Sequence, residues 1–352
     1  MNGNSTALTR EEVRSVVEGR ARTRRVPMCI HFWVHPDEFG ERKQAVLDLL
    51  DRYPCDLQWG SFHMPATYRG DDSAWPEYAW LPFANPYKGR QVAIDSAVAL
   101  ENWDRLDEVI AKFPRADFPA LLKWMPKPDG RYRLAHWWFC LFERHWSLRG
   151  MTQALTDYYE YPEQTHRLFQ ALTDFYCGII ARCAKESPFD GLLTSDDLGT
   201  QSSGFFSPAI FREFFKPYYR QIFDTCHRHG AQTWMHACGC VREFIPDWVE
   251  VGLDVLHPIQ KHTMDEQAIA REFGDRLTVF TGLDVQQVIP WGTPEDVRAE
   301  VRHLLDCFWR PGQGRCLITA GNGINGDCTL ASLEAFLDES YRYGATTAAK
   351  GI

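Results

Sequence analysis

The chain alternates short apolar, β-rich runs with amphipathic helical runs, and this alternation constrains its fold more than any other feature. Eight such pairs follow one another between Val26 and Tyr343. Strands that alternate with helices form parallel sheets, and eight such units favour closure into a barrel. An open, doubly wound sheet is the alternative, but no glycine-rich phosphate motif follows the first strand. The sequence therefore predicts an α/β fold of the (β/α)8 TIM-barrel class.

Two additions to the barrel are predicted, one before it and one within it. Residues 1–25 form a polar N-terminal lead-in, in which Thr9 and Glu12 fit a capping box. Residues 26–345 form a single catalytic domain, and residues 62–100, after strand two, form a long irregular insertion rich in Pro, Trp and Tyr. The predicted strands are Val26–Trp33, Asp56–Ser61, Tyr132–Phe142, Gly191–Ser195, Ala231–His236, Asp254–Ile259, Leu277–Thr281 and Arg315–Thr319.

Composition excludes several classes of function. Among 352 residues, 38 are Lys or Arg and 47 are Asp or Glu, and the resulting net charge of −9 disfavours bulk binding to nucleic acid. No run of about 18 apolar residues is present, so we expect no membrane span. The 11 cysteines are scattered, and Met1–Arg25 has no apolar signal segment, so we expect free thiols in a cytoplasmic protein.

The active site of a (β/α)8 barrel forms at the C-terminal ends of its strands, so polar residues that follow each apolar run are the candidates. His236 and Cys238 are two residues apart at the end of strand five, so their side chains can approach one point. An imidazole and a thiolate together suit zinc. The alternative is a strand-end thiol beside a hydrogen-bonded histidine without a metal. The candidates for a third ligand are Cys328, Cys240, Asp196 and His257.

Asp196 and Asp197 form an acidic pair at the end of strand four. Two close carboxylates in a mouth of low dielectric constant raise one pKa, which favours a proton carrier. Adjacent residues of a strand point to opposite sides, so we expect one functional carboxylate, Asp196, and one structural carboxylate that caps a helix or orients a histidine. Asp284 has a similar position and fits either a site residue or a helix cap.

Aromatic and amide side chains complete the predicted pocket. Trp33, Trp59, Trp146 and the run His136-Trp137-Trp138-Phe139 can wall a pocket for a flat or methylated substrate, although core packing accounts equally well for about half of them. The predicted catalytic residues are Asp196, His236, His136 and His145. The predicted substrate-binding residues are Trp33, His31, His63, Trp137, Gln201, Gln260, Asp284 and Asn322, and the predicted metal ligands are His236, Cys238 and Cys328.

The stretch from Asp190 to Gln260 resembles the uroporphyrinogen decarboxylase superfamily, which includes zinc methyltransferases that act on corrinoid proteins and coenzyme M. The segment from Gly314 to Glu334 resembles the closing part of the same family. The motifs that carry the resemblance are Asp196-Asp197-Leu198-Gly199-Thr200-Gln201, Ser207-Pro208, His236-Ala237-Cys238-Gly239 and Gly252-Leu253-Asp254-Val255-Leu256. The family fold is a (β/α)8 barrel, in agreement with the unit count.

The resemblance implies a divergent member. In the methyltransferase branch a His-x-Cys pair and a later Cys hold zinc. His236 and Cys238 match the pair. Asn322 stands where the later Cys is expected, and Cys328 lies six residues further along the chain. The decarboxylase branch clamps substrate carboxylates with an arginine-rich N-terminal segment. Here that region reads Met28-Cys29-Ile30-His31-Phe32-Trp33, which disfavours uroporphyrinogen decarboxylation, because carboxylate recognition needs guanidinium groups.

Three functions fit these observations. The leading hypothesis is a zinc-dependent methyltransferase or demethylase for a small, partly aromatic or apolar substrate, working with a corrinoid on a carrier protein. The first alternative is a metal-free decarboxylase that uses a carboxylate and a histidine as acid and base. The second is a non-catalytic barrel that binds a cofactor-carrying partner through the segment Phe62–Tyr87. A homodimer is compatible with each of them.

Overall fold

A curled parallel sheet forms the centre of the molecule. The computed structural model describes residues 7–64, 67–68, 78–79, 98 and 100–350. Seven strands pair in the order β1-β4-β5-β6-β7-β8-β9, each parallel to its neighbour, and β2 and β3 form a separate antiparallel pair. The strands are β1 Leu57–Ser61, β2 Thr67–Tyr68, β3 Tyr78–Ala79, β4 Tyr132–Trp137, β5 Gly191–Ser195, β6 Gln232–His236, β7 Val255–His257, β8 Thr278–Phe280 and β9 Cys316–Leu317.

The first predicted strand closes the barrel without forming a regular strand. Met28 makes a parallel bridge to Ile318 on one side, and on the other side its carbonyl accepts from the backbone N–H of Asp56 at 3.0 Å. Residues 26–30 therefore occupy the eighth position, and the (β/α)8 prediction is confirmed. The predicted extent Val26–Trp33 is wrong at its end, because the chain turns at Ile30 into a 3-10 helix, His31–Trp33, that brings Trp33 into the barrel mouth.

The helices surround this sheet and begin where the sequence supplies caps. Thr293 and Asp296 form a reciprocal capping box at the start of α12, and Asp265 and Thr329 cap α10 and α13. The helices are α1 Arg10–Val17, α2 Lys43–Leu50, α3 Leu106–Ala111, α4 Phe142–Arg149, α5 Met151–Glu160, α6 Pro162–Glu186, α7 Pro208–Ile210, α8 Lys216–Arg228, α9 Ile245–Glu250, α10 Glu266–Phe273, α11 Val288–Trp291, α12 Pro294–Phe308 and α13 Leu330–Ala349; a π-helical turn, Phe211–Phe215, joins α7 to α8, and 3-10 turns lie at Pro36–Arg42, Trp103–Arg105 and Pro119–Leu122.

The N-terminal segment before the barrel packs against it. The lead-in folds onto the barrel: Leu8, Val13, Val16 and Val17 are buried, and the Thr278 hydroxyl donates to the Val17 carbonyl at 2.9 Å. Most of the insertion predicted at residues 62–100 lies outside the described residues. Within the described part of the chain, no helix is long and apolar enough to cross a membrane.

Candidate active site

The C-terminal ends of β5, β6 and β7 bring their last residues into one row. The register pairs Ser195 with His236 and His236 with His257. Every residue of β5 and β6 is buried, because the strands are covered on both faces. The polar groups at their ends therefore meet at the boundary between a packed core and the open mouth of the barrel.

Asp197, His236 and Cys238 offer three metal-ligand atoms that all lie within 4.8 Å of one another. The His236 Nε2 is 3.4 Å from the Cys238 Sγ and 3.7 Å from the Asp197 Oδ1. Ligand atoms bound to one tetrahedral zinc ion lie about 3.3–3.7 Å apart, because Zn–N, Zn–O and Zn–S bonds are about 2.0–2.3 Å long. Two of the three distances match this spacing and the third is at most 4.8 Å, so the three side chains could hold a metal ion.

A hydrogen-bonded chain of two histidines orients His236 for this purpose. The His257 Nε2 lies 2.9 Å from the Ala320 carbonyl oxygen, which can only accept, so this nitrogen carries the proton. Burial and the neighbouring His236 hold the pKa of His257 well below its usual range, so His257 is neutral and its Nδ1 is an acceptor. The His236 Nδ1, at 2.7 Å, therefore donates to it. His236 therefore carries its proton on Nδ1, and the lone pair of its Nε2 is directed at Cys238 and Asp197. A histidine that binds a metal through Nε2 requires this tautomer.

The loop that carries Cys238 is fixed by both neighbouring loops. The Cys238 backbone N–H donates to the Asp197 Oδ1 at 2.7 Å, and the Gly239 N–H donates to the Gln260 Oε1 at 2.6 Å. Gly239 has a positive φ of 84° and packs directly on Gly199. A side-chain carbon added at Gly199 would lie 2.6 Å from the backbone nitrogen of Cys240. Glycine is therefore required at both positions for the two loops to touch.

The Cys238 thiol stays protonated unless a cation compensates its charge. Burial and the charge of Asp197 raise the pKa of the Cys238 thiol, so a thiolate is unfavourable there without a compensating positive charge. A divalent cation supplies that compensation and deprotonates a coordinating thiol. Asn322, which stands where the resemblance places a cysteine, points its amide towards the Cys238 Sγ at 3.8 Å.

The structure corrects the expected placement of the acidic pair. The buried Asp196 carboxylate accepts from the backbone N–H groups of Leu141, Phe142 and Glu143 at 2.8–3.0 Å and from the Tyr219 hydroxyl at 2.6 Å. It binds the N-terminus of α4 and does not line the mouth, although burial raises the pKa of Asp196 to about 6. Asp197, with a side chain 41% exposed, faces the mouth instead. Ser195 and Asp197 line the same cavity there, so the alternation of sides directs Asp196 away from it.

Sequence reasoning did not single out Glu143, which lines the mouth from the first turn of α4. Its buried carboxylate accepts from the Ser195 hydroxyl, which in turn accepts from the Phe139 N–H at 3.0 Å. Burial, Asp197 and Asp196 raise the pKa of Glu143 well above its usual range. The available signal in the sequence was the position of Glu143 shortly after β4. That position does not indicate whether the first turn of α4 directs the side chain towards the mouth.

Two cavities adjoin the group of ligand atoms, and Asp197 and Asn322 line both. The first, the polar cavity, has a volume of ≈290 Å³ and is also lined by Gln201, Cys238, Gln260, Lys261 and Asp284. The second, the aromatic cavity, has a volume of ≈490 Å³ and is also lined by Phe32, Trp33, His136, Trp138, Phe139, Glu143 and His236. The mouth can thus hold different chemical groups on the two sides of one metal-capable centre.

Several residues predicted for the pocket line these cavities. Trp33 stacks on His257 with ring centroids 4.6 Å apart. The His136 Nε2 forms a hydrogen bond with the Ser61 hydroxyl at 3.2 Å. Burial lowers the pKa of His136 to about 4. Trp137 and His136 line a third cavity of ≈440 Å³, which we call the side cavity. Asp284 lines the polar cavity and also caps the following turn, accepting from the Gln286 and Gln287 N–H groups at 2.8 and 3.1 Å.

Four predicted site residues lie elsewhere. His145 is fully buried in α4, between Asp157 and Tyr158, because α4 directs this side chain into the helical layer. His31 lies within 3.0 Å of the Leu50 carbonyl oxygen, and His63 packs on Trp124; neither lines one of the cavities described above. The Cys328 thiol donates to the Thr329 carbonyl before α13 and is not part of the group of ligand atoms, whose third member is Asp197.

Fold and site together define a metal-capable barrel, and comparison with known proteins gives its family. The model of the uroporphyrinogen decarboxylase (URO-D) family matches residues 146–343, and the chain belongs to this family as a divergent member. A methylated-thiol–coenzyme M methyltransferase from Methanosarcina mazei is 23% identical over 176 residues, which are 50% of this chain and 44% of that protein, so the chain matches less than half the length of this relative. The solved structure of a methyltransferase from Methanosarcina mazei superposes with a TM-score of 0.57 and 13% identity over 96% of this chain and 99% of that chain, and it has the same fold.

Proposed function

We propose that this protein is a zinc-dependent methyltransferase or demethylase that acts on a small, partly aromatic or apolar substrate. The observation that carries the proposal is the group formed by Asp197, His236 and Cys238, whose ligand atoms lie within 4.8 Å of one another at the barrel mouth. The methyltransferase name of the relative from Methanosarcina mazei supports it. When bound, zinc would hold a thiol acceptor as its thiolate, the form that attacks a methyl group.

The residues of the chain would divide the work between the two cavities. His236, Cys238 and Asp197 would hold the metal, and His257 would fix the tautomer of His236. The polar cavity would bind the acceptor next to Cys238, and the aromatic cavity would bind the methyl-bearing substrate. Glu143, whose pKa is raised by burial and by the charges of Asp197 and Asp196, would donate a proton to a leaving oxygen or nitrogen.

A corrinoid on a carrier protein is the proposed partner, and in a reaction with the carrier it would replace one of the two small molecules as methyl donor or methyl acceptor. The proposal comes from the superfamily, whose methyltransferases act on corrinoid proteins. The aromatic cavity and the side cavity share Ser61, His136, Trp138 and Phe139, so the mouth is continuous over a wide area on which a carrier could deliver its cofactor.

The metal-free decarboxylase is the second candidate, and the raised pKa of Glu143 favours it, because decarboxylation ends with protonation of a carbanion. In the part of the chain that the structure describes, neither the aromatic nor the polar cavity offers an available basic partner for the carboxylate that would be lost, however. No lysine or arginine is among the described residues that line the aromatic cavity. In the polar cavity, Lys261 already pairs with Glu266 and Glu300 at 3.1 and 2.7 Å. The methyl-transfer proposal is therefore the stronger one.

Zinc content tests the proposal. Protein purified without added zinc should contain about one equivalent by elemental analysis. His236→Ala and Cys238→Ser should lower zinc affinity by about 100-fold or more in competition with a chromophoric chelator, because each removes a ligand.

The matched control is Cys328→Ser, which removes a thiol near the mouth that is not part of the ligand group and should leave zinc content unchanged. Less than about half an equivalent of zinc, or a content insensitive to His236→Ala, would contradict the methyltransferase proposal. A pH–rate profile unaffected by a chelator would then favour the decarboxylase.

A further inference from the structure

We infer that the aromatic cavity binds a methylated onium group, that is a quaternary ammonium or a tertiary sulfonium, as the methyl-bearing end of the substrate. This inference rests on the proposed function and names the class of substrate for it. It is carried by three features of the cavity: its aromatic faces, its charges and its position beside the metal-capable group.

The aromatic faces are held in place by their neighbours. Trp33 and Trp138 meet with ring centroids 6.1 Å apart and planes inclined at 59°, which forms an open corner. His136 and His236 pack edge-on against Trp138 at 5.5 and 5.6 Å and fix its orientation. Trp138 is nevertheless 39% exposed, so part of its surface is free for a ligand. Cations bind over the faces of such rings, most strongly over tryptophan.

The same cavity is lined by two acidic groups. Asp197 and Glu143 carry its carboxyl groups, and none of the described residues that line it is lysine or arginine. Arg144 lines the side cavity instead, where its guanidinium donates to the carbonyls of Trp138 and Phe139 at 3.1 and 3.0 Å. An anionic or strongly polar substrate would find no counter-charge in the aromatic cavity, whereas an onium would find both aromatic faces and a carboxylate.

The chemistry of methyl transfer fits this class of substrate. The bond between the methyl carbon and the cationic nitrogen or sulfur breaks, and its electron pair stays on that atom, which leaves as a neutral amine or sulfide. The methyl carbon forms its new bond to the sulfur of a thiolate acceptor, which becomes a neutral thioether. No proton has to move in this step. The aromatic cavity, with a volume of ≈490 Å³, lies on one side of His236, where the methyl group would face the acceptor.

Two probes of the same shape test the inference. Choline and 3,3-dimethylbutan-1-ol differ only in that a cationic nitrogen replaces a neutral carbon. By titration calorimetry on the protein as purified, choline should bind about tenfold or more tightly than the alcohol. Trp138→Leu should remove most of this preference and Trp138→Phe should retain part of it, because phenylalanine binds cations less strongly than tryptophan.

The matched control is Trp291→Leu, since Trp291 is 76% exposed on α11 and lines none of the cavities described above. Its affinity for choline should equal that of the parent protein. Equal binding of choline and the alcohol, binding of methoxybenzene without binding of choline, or choline binding that survives Trp138→Leu would overturn the inference.

Because binding is measured without turnover, the choline result is independent of the zinc measurement. Choline binding in a protein that lacks zinc would contradict the proposed function and leave the inference standing.

Discussion

The carboxylates of Asp196 and Asp197 lie in different environments although the residues are adjacent. Asp196 is buried and accepts four hydrogen bonds, three of them from the first backbone N–H groups of α4. Asp197 faces the mouth and accepts from the Cys238 N–H. One residue therefore stabilises the fold, and the other is available to the metal.

The same substitution at each position should separate these roles. At pH 8, Asp196→Asn should lower the free energy of unfolding by about 2–4 kcal/mol, because the new amide group faces donors that it cannot accept from. Asp197→Asn should change it by less than about 1 kcal/mol and should lower zinc affinity by about tenfold or more. Denaturant unfolding and chelator competition on both variants provide the measurements. A larger loss of stability in Asp197→Asn than in Asp196→Asn would contradict this assignment.

The sequence predicted the pair but not the member that faces the mouth. Strand alternation requires that the two side chains diverge, and this was confirmed. Which one points inwards depends on where the chain leaves β5 and on the position of α4, and neither is visible in a local pattern. The tautomer of His236 likewise depends on His257 and Ala320, which are 21 and 84 residues further along the chain.

Among the elements, the seam of the barrel at residues 26–30 is the most unusual. Here the carboxylate of Asp56 accepts backbone hydrogen bonds that a neighbouring strand would otherwise accept. It accepts from the Met28 N–H and from the Leu8 N–H, each at 2.7 Å. It also forms an ion pair with the buried Arg25. The seam, the lead-in and β1 therefore depend on one carboxylate.

Asp56→Asn should lower the free energy of unfolding by about 3–5 kcal/mol, because it leaves Arg25 buried without its counter-charge. Amide hydrogen exchange should increase at Met28 and Cys29 before it increases in the interior strands. The control is Asp51→Asn, an exposed position at the end of α2, which should change stability by less than about 0.5 kcal/mol. Equal effects of the two substitutions would contradict the role given to Asp56.

Element boundaries were predictable where local signals were strong. Gly191–Ser195 was predicted with the bounds that the structure has, because an apolar run lies between Asp190 and Asp196. The start of α12 was predicted from Thr293 and Pro294. The predicted strand Val26–Trp33 was too long. Its last residues are apolar because Phe32 and Trp33 line a cavity, and not because they continue the sheet.

At the scale of the whole molecule, the buried carboxyl groups make stability depend on pH. The native protein holds the proton of Glu143 to a higher pH than the unfolded chain does, because burial and the charges of Asp197 and Asp196 raise the pKa. Folding therefore takes up a proton in the window above the ordinary glutamate value of 4.5, and the free energy of unfolding falls as pH rises through that window.

Glu143→Gln should remove this contribution while retaining an acceptor for the Ser195 hydroxyl. Relative to the parent, the variant should gain stability as pH rises from 4.5 towards 8, with the smallest difference at the acidic end. Denaturant unfolding of both proteins at each pH gives this difference, in which the contributions of the buried histidines cancel. The exposed Glu243→Gln serves as the control for the loss of a surface charge. A difference that is constant from acid to neutral pH would contradict the prediction.

The contact between Gly199 and Gly239 has a consequence for how this barrel can diversify. The loops after β5 and β6 touch backbone to backbone, so neither can lengthen or acquire a side chain at the contact unless the other changes with it. Variation among descendants of this chain should therefore accumulate away from this contact, around Phe32. The two loops that carry Asp197 and Cys238 would be inherited as a unit, while the rest of the mouth would be free to adapt to new substrates.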